Sequence, residues 1–505
     1  MCNRICLFVL FCLLVVGNTN AQEKGFLFIY ADTEHSWFAK DVIETGTGDF
    51  IIGIKDNRGS ESRLVKLSAD GAILADQPVI AEDTNVKLCR IFHLPSGQDD
   101  NYLAVCPCVP DDGSEAALLF VGFNEALETT FHKAVACPFM EPGDGFFDAK
   151  IMATSSSIIA AVTIRPDGAP IGPTFLAQIN SECDFVSYRM LDSISTVCSL
   201  FLAEDENIGL FCKIGMSHMG IVTFDESLQC IGRDSIFQWT APEGNNGDFC
   251  LYFINDIINS QAAMLPDGSY VVSARLNEDL YHANGYPYKY DRSSILAKYG
   301  NDFHQPENML VIEHMNDSIE YPAFFRSLDF RETAEGELDV FQCVILNEYP
   351  QSGLIQPFPT GLVVTKTDRD LNVKWKRRYL KDGNYQATNI NATEDGGCIV
   401  VGSLGDFQEQ KLSLFALKIN ADGMVGIDEI REESLAFVYP NPANGTLNIG
   451  GVEAKETQVY NVNGQCVKTF KGNMANIEDL AKGCYVLSIV DTEGKVQTQR
   501  LVVEK

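Results

Sequence analysis

The sequence predicts an all-β chain. Short apolar runs with period-2 alternation recur over most of its 505 residues. Asn-Gly and Asp-Gly pairs, which permit the positive φ of tight hairpins, punctuate the runs. A composition of 40 Gly, 31 Phe and 17 Tyr against 3 Trp fits the same turn-rich, aromatic-rich class.

The apolar runs form a repeat. Its clearest copies are GDFIIGIKDNRGSESRLVKLSADGAIL from Gly48 and DGGCIVVGSLGDFQEQKLSLFALKINADG from Asp395. A third is DGSYVVSARLNE from Asp267 with SSILAKYGNDF from Ser293. Each has a Gly/Asp turn, an apolar strand, a polar connection, a second apolar strand ending near Lys, and another turn. Weaker copies begin at Asn101, Ser157, Asn207 and Leu338. Seven units at roughly 58-residue spacing predict a seven-bladed β-propeller over residues 22–428, because radial packing protects the edges of short sheets. Six or eight blades, an open solenoid and a pair of sandwiches are the competing arrangements. The run GFLFIY, Gly25 to Tyr30, precedes the first unit, and the last unit has only a weak fourth strand. The early run is therefore expected to complete the last blade. Cys106, Cys212 and Cys343 hold the position that Ile54 and Ala274 hold in other units, so they read as small core hydrophobes.

The first 21 residues, MCNRICLFVLFCLLVVGNTNA, carry Arg4, ten apolar residues from Leu7 to Val16, and small residues Thr19 and Ala21. This is the pattern of a cleaved signal peptide, with the cut between Ala21 and Gln22. Ten apolar residues are too few to span a bilayer, which takes about 20. No later stretch is long and apolar enough, so the expected mature chain is exported without a transmembrane segment. Of 16 Cys, Cys2, Cys6 and Cys12 leave with the signal and an odd number remain, so full internal pairing is excluded. Proline between Cys106 and Cys108 strains a local disulfide, and that pair reads as structural.

Acids exceed bases, 69 against 38, for a formal charge of −31. That argues against nucleic-acid partners, which are held by clustered Lys and Arg. The seven His form no HExxH pair, and GxSxG, P-loop and dinucleotide-binding patterns are missing. No catalytic residue, metal site or cofactor is nominated. The acidic runs at Asp111 to Glu115 and Glu204 to Glu206 offer oxygen donors of the kind Ca²⁺ takes, without EF-hand spacing, and solvated turns are the plainer reading.

Two connections stand out. NEDLYHANGYPYKYDRS, Asn277 to Ser293, contributes Tyr281, His282, Tyr286, Tyr288 and Tyr290; NEYPQSGLIQPFPTG, Asn347 to Gly361, contributes Tyr349 and Phe358. They occupy the same place in adjacent units and should emerge side by side as loops. Tyrosine gives rigid amphipathic contact area, so they form a candidate face for a glycan or protein ligand. The competing reading is a lid packed on its neighbours. The functional expectation is a binding or interaction module. The alternatives are a secreted hydrolase of glycan or peptide with its site on the propeller face, and a structural envelope component.

After Asp428 the character changes. Residues 429–434 read as a short polar linker, and 435–505 as a small β-sandwich with a core of Leu447, Ile449, Val459, Tyr460, Val462, Tyr485, Leu487, Ile489 and Val502. This segment carries YPNP (Tyr439, Pro440, Asn441, Pro442), VYNVNGQCV from Val459, LAKGCYVLSI from Leu480 with Gly483 and Tyr485, and a terminal LVVEK. In order, spacing and position it resembles the type A C-terminal sorting domain of the Bacteroidetes type IX secretion system. Cys484 stands where Val or Ile is common in that family. The resemblance implies passage through the periplasm, recognition by an outer-membrane translocon, and release or display on the cell surface. An accessory β-domain is the alternative. Three Asp-Ser-Ile tripeptides, with Ser193, Ser235 and Ser318, resemble the short O-glycosylation acceptor of the same bacteria; a three-residue match is weak, and chance is the competing account.

Overall fold

The computed structural model describes residues 25–504 other than 32–33, 58–60, 80–83, 94–101, 111–114, 168, 170, 216–217, 237–238, 244–247, 255–259, 285–286, 301–302, 304, 315–320, 348–359, 426–432, 435, 493 and 495. The described residues are built from antiparallel β-sheets, with one three-residue 3-10 turn, Glu204–Glu206. Among them no helix is long and apolar enough to cross a membrane.

Each sequence repeat supplies the second and third strands of a four-strand unit. In the first, Trp37–Glu44, Phe50–Asp56, Ser62–Leu67 and Ile73–Val79 pair in chain order. Gly145–Ala153 to Phe185–Met190 and Ile194–Leu202 to Cys230–Ile236 repeat the pattern. The second and fifth sheets gain extra strands. The last two units share one 20-residue strand, Val373–Ala392. Its first part pairs with Thr360–Thr367, and its second with Cys398–Asp406. The early run pairs with the last unit as expected: Phe26–Tyr30 lies beside Lys411–Ile419 from Phe26↔Lys418 to Tyr30↔Leu414.

The core lies between the faces of neighbouring sheets. Side chains alternate across a strand, so each sheet supplies two apolar faces. Ile51 and Leu64 pack with Ile91, Ala104 and Cys106 of the following sheet. Phe50, Ile52 and Val65 turn the other way, onto Ile399, Val401 and Leu414 near the end of the chain. The same sandwiching recurs between every consecutive pair of sheets. The first strands of successive units lie side by side in chain order, and Trp37–Glu44 also lies against Val373–Ala392. Cys106, Cys212 and Cys343 sit in these cores, free and inaccessible, and burial pushes each thiol upward.

Turn chemistry follows position in the unit. Between first and second strands, Gly336 (φ +79) and Gly396 (φ +79) take the left-handed place that L side chains rarely adopt. Between third and fourth strands, four units put a side chain there: Leu127, Cys183, Leu228 and Leu371, with φ from 60 to 63, all buried. Opposing them, Asn124, Asp225 and Asp368 accept backbone N–H groups two and four residues on and close the turn.

The C-terminal segment forms two sheets, Phe437–Tyr439 with Thr446–Gly450 and Met474–Asn476, and Cys466–Phe470 with Ala454–Asn461, Gly483–Asp491 and Val496–Val503. Leu447, Ile449, Val459, Tyr485, Leu487 and Ile489 form its core as expected. Three expected core residues do not. Val462 is 65% exposed in the turn after its strand, and Tyr460 and Val502 face outward. Leu501 and Val503 fill the interior instead, because a continuous Leu-Val-Val run leaves the phase of the last strand undetermined by pattern.

Candidate functional site

Charged groups gather where the first strands of the units meet. Asp41 is buried on Trp37–Glu44. Its carboxylate accepts the Ile91 N–H at 2.7 Å and the Asn389 side-chain amide at 2.5 Å, with the Arg90 guanidinium at 3.2 Å. Burial raises its pKa despite these partners. Glu44 accepts the Glu394 N–H at 2.8 Å and pairs with Arg331 at 2.9 Å. Asp329 accepts the Ala392 N–H at 2.7 Å and the Asn391 amide at 3.3 Å, and burial pushes it up to about 6. Gln261 accepts the Leu328 N–H at 2.7 Å, and Ser199 accepts the Ala262 N–H at 2.9 Å. Strands of different sheets share no ladder, so these side chains satisfy the inward backbone groups instead. These acids therefore act as ties between sheets. Sequence reasoning missed them, since no local pattern joins residues as distant as Asp41 and Asn389.

The tyrosine segment of the fifth unit is largely strand, which corrects the expected loop. Tyr270–Tyr281 and Pro287–Tyr299 remain paired as far as Tyr281↔Pro287, so Tyr288 and Tyr290 lie in a strand. The extension is held on its other edge by Asp248–Ile254, from Ile254↔Leu276 to Phe249↔Tyr281. Tyr281 is half-buried and His282 exposed near the tip. Tyr286, Tyr349 and Phe358 lie outside the described residues, as do Ala21, Gln22 and Ser318. The structure thus brings Tyr281 and His282 together and gives no test of the second segment.

The same hairpin meets the C-terminal sheets. Glu278 is buried, accepts the Ser293 hydroxyl at 2.5 Å, and is paired with Arg500 of the last strand. Glu433–Ser434 adds two residues of strand beside Arg377 and Arg378, so part of the expected linker is in a sheet. Within the segment, Asn441 donates its amide to the Arg500 carbonyl at 2.9 Å and accepts the Val502 N–H at 2.8 Å. The peptide bonds before Pro440 and Pro442 are cis, and Tyr439 is 42% exposed. Tyr485 is buried with its hydroxyl on the Ala481 carbonyl at 2.8 Å, and Gly483 opens its strand.

Ser193 is exposed in a turn, whereas Ser235 is half-buried in the strand Cys230–Ile236. Among the described residues no group of three His, Cys, Asp or Glu is arranged to hold a metal ion.

No curated protein matches the chain. Solved structures align loosely. Virginiamycin B lyase from Staphylococcus aureus with quinupristin shares 8% identity over 78% of this chain and 100% of its own, at TM-score 0.39. An α-L-arabinofuranosidase from Fusarium graminearum shares 10% over 79% and 97%, at 0.38. The Neurospora crassa Pan2 WD40 domain shares 8% over 79% and 96%, at 0.36. Likeness at this level carries no chemistry from those proteins to this one. The C-terminus matches specifically: residues 437–504 fit the model of the secretion system C-terminal sorting domain. This chain ends in that sorting domain, which directs it to the outer cell surface or into the medium.

Proposed function

We propose that this chain is a binding module that a Bacteroidetes-type bacterium exports by the type IX route. In this reading residues 1–21 are a signal peptide, 22–428 a closed seven-bladed propeller, 429–434 a linker, and 435–505 the sorting domain. The packing of the Phe50 sheet onto Ile399 and Val401 supports closure. Export follows from the sorting domain.

The observation that carries binding over catalysis is the commitment of the axial acids. Asp41 and Glu44 are each engaged by a backbone N–H and a guanidinium, which holds them as structural acceptors. The ligand face is then the end of the propeller from which the tyrosine hairpin projects, with a glycan or protein as ligand. The test is a panel of glycans and cell-surface proteins probed with the mature chain and with a variant carrying Gly/Ser at residues 281–290. Loss of binding in the variant is the expected result, and equal binding overturns the reading.

The second reading, a secreted hydrolase of glycan or peptide, draws on Asp329, whose pKa of about 6 suits proton transfer near neutral pH. A hydrolase screen of the mature chain, repeated with Asp329→Asn, tests it.

A further inference from the structure

The chain is strongly acidic, yet one place collects lysines without acids. Phe38 and Lys55 are register partners on the first two strands of the first sheet. Lys40 Nζ lies 5.4 Å from the centre of the Phe38 ring and Lys55 Nζ 5.7 Å, so two ammonium groups share one aromatic side chain. Lys87, between the strands Thr84–Val86 and Arg90–His93 of the second sheet, adds a third positive charge felt by Lys55. Lys40 and Lys55 are half-buried and Lys87 is exposed. Among the described residues no carboxylate forms an ion pair with any of the three. Several lysines elsewhere on the sheets are matched: Lys66 with Asp49 and Glu125, Lys298 with Asp267 and Asp370, Lys418 with Asp395.

Repulsion among half-buried ammonium groups costs stability, and an acidic chain has carboxylates to spare for neutralising it. An uncompensated cluster in such a chain is a place that an external anion completes. Topology puts it on the proposed ligand face. Lys55 stands near the end of a second strand, as Tyr281 does in the fifth unit, and in every unit the connection from second to third strand leaves the same end. Phe38 is buried, and its ring seats the two ammonium groups from below.

We propose that Lys40, Lys55 and Lys87, with Phe38, form a binding site for an oxyanion carried by a saccharide, a carboxylate or a sulfate ester. The site rests on the reading of the chain as a binding module and gives that module a ligand class. The three cations select a negatively charged group, and the two held on Phe38 fix where it sits. Binding weakens above neutral pH, because burial, with Lys40 and Lys87 alongside, lowers Lys55 to about 8. Cys89 is the other titratable group facing Lys55, and burial raises its thiol, which disfavours a thiolate beside the lysines. Asp148 and Lys150 nearby pair with each other at 3.0 Å.

The experiment is calorimetric titration of the mature chain at low salt with glucuronate, glucose 6-sulfate, inorganic sulfate and glucose. Saturable heats are expected for glucuronate, glucose 6-sulfate and sulfate, and none for glucose. Lys55→Gln and Lys40→Gln should each weaken the charged sugar at least tenfold, and so should raising the pH from 7 to 9.5. Thermal melts give an independent readout. In anion-free buffer Lys55→Gln should melt higher than the parent, since it relieves repulsion, while the charged sugar should raise the Tm of the parent alone. Equal affinity of parent and both lysine variants overturns the proposal, as does the absence of saturable binding by every anion. If replacing residues 281–290 abolishes panel binding while the lysine variants bind as the parent does, the hairpin reading stands and the anion site falls. Charged-sugar binding that survives the hairpin replacement but not Lys55→Gln does the reverse.

Discussion

Asn389 donates its side-chain amide to Asp41 at 2.5 Å, joining the first and last sheets across 348 positions of sequence. Asp41 also accepts the Ile91 N–H of the second sheet, so one carboxylate links three sheets. Asn389→Ala removes a donor to a buried, charged acceptor, and the expected cost is about 2 kcal/mol. A urea titration of the full chain checks this, and an unchanged midpoint would show the tie to be dispensable.

Asp329 gives a pH signature. Burial raises its pKa from 3.8 to about 6, so the folded state holds this proton more tightly than the unfolded state does. Its contribution is present below pH 4 and is lost as the pH rises through 6. Asp329→Asn keeps an acceptor for the Ala392 N–H and removes the titration. Stability of the variant relative to the parent should therefore climb by about 2 kcal/mol between pH 4 and 7. A flat difference across that range sinks the assignment.

The left-handed turn positions predict opposite glycine swaps. Gly336→Ala places a Cβ where φ is +79 and should cost about 1 kcal/mol by strain alone. Leu228→Gly relieves the same strain, but it withdraws a side chain that is 2% exposed. Burial of a leucine, about 2–3 kcal/mol, outweighs the strain, so a net loss of about 1–2 kcal/mol is expected. Stabilisation by Leu228→Gly in a melt would reverse that ranking.

Thiol chemistry separates the cysteines. Cys230 and Cys466 are exposed, whereas Cys106, Cys212 and Cys343 are sealed in the cores and held neutral by burial. Iodoacetamide should label Cys230 and Cys466 within minutes in the native protein, and the three core thiols only after denaturation. Mass spectrometry of peptides reads the result. Native labelling of Cys343 would contradict its place in the core.

Arg500 and Glu278 couple the sorting domain to the fifth-unit hairpin. Arg500→Gln strands a buried carboxylate and should destabilise the hairpin, while Glu278→Gln removes the charge that needs a partner. The double variant should therefore lose less than the two singles summed, with a coupling of about 1–3 kcal/mol in a denaturant cycle. Strict additivity would mean that the two parts do not meet through this pair.

Local pattern made the strands legible. The Asp-Gly turns and alternating runs at Phe50, Tyr270 and Cys398 mark strands that are present, and GFLFIY pairs with the last unit as its position suggested. The same local logic failed at Val502, where contiguous apolar residues carry no phase, and at the tyrosine segment, whose polarity read as loop although a neighbouring edge at Phe249–Ile254 extends it as strand.

By itself the sequence determined the class, the repeat and the sorting tail, since each is written in residues a few positions apart: hairpin turns, period-2 alternation, and the run from Tyr439 to Tyr485. Only the tertiary structure decided which charges meet. Asp41 with Asn389, Glu278 with Arg500, and Lys40 with Lys55 around Phe38 are set by which sheets adjoin and which strand faces point together. Side-chain pairing across sheets depends on distance in space, and sequence separation does not encode it.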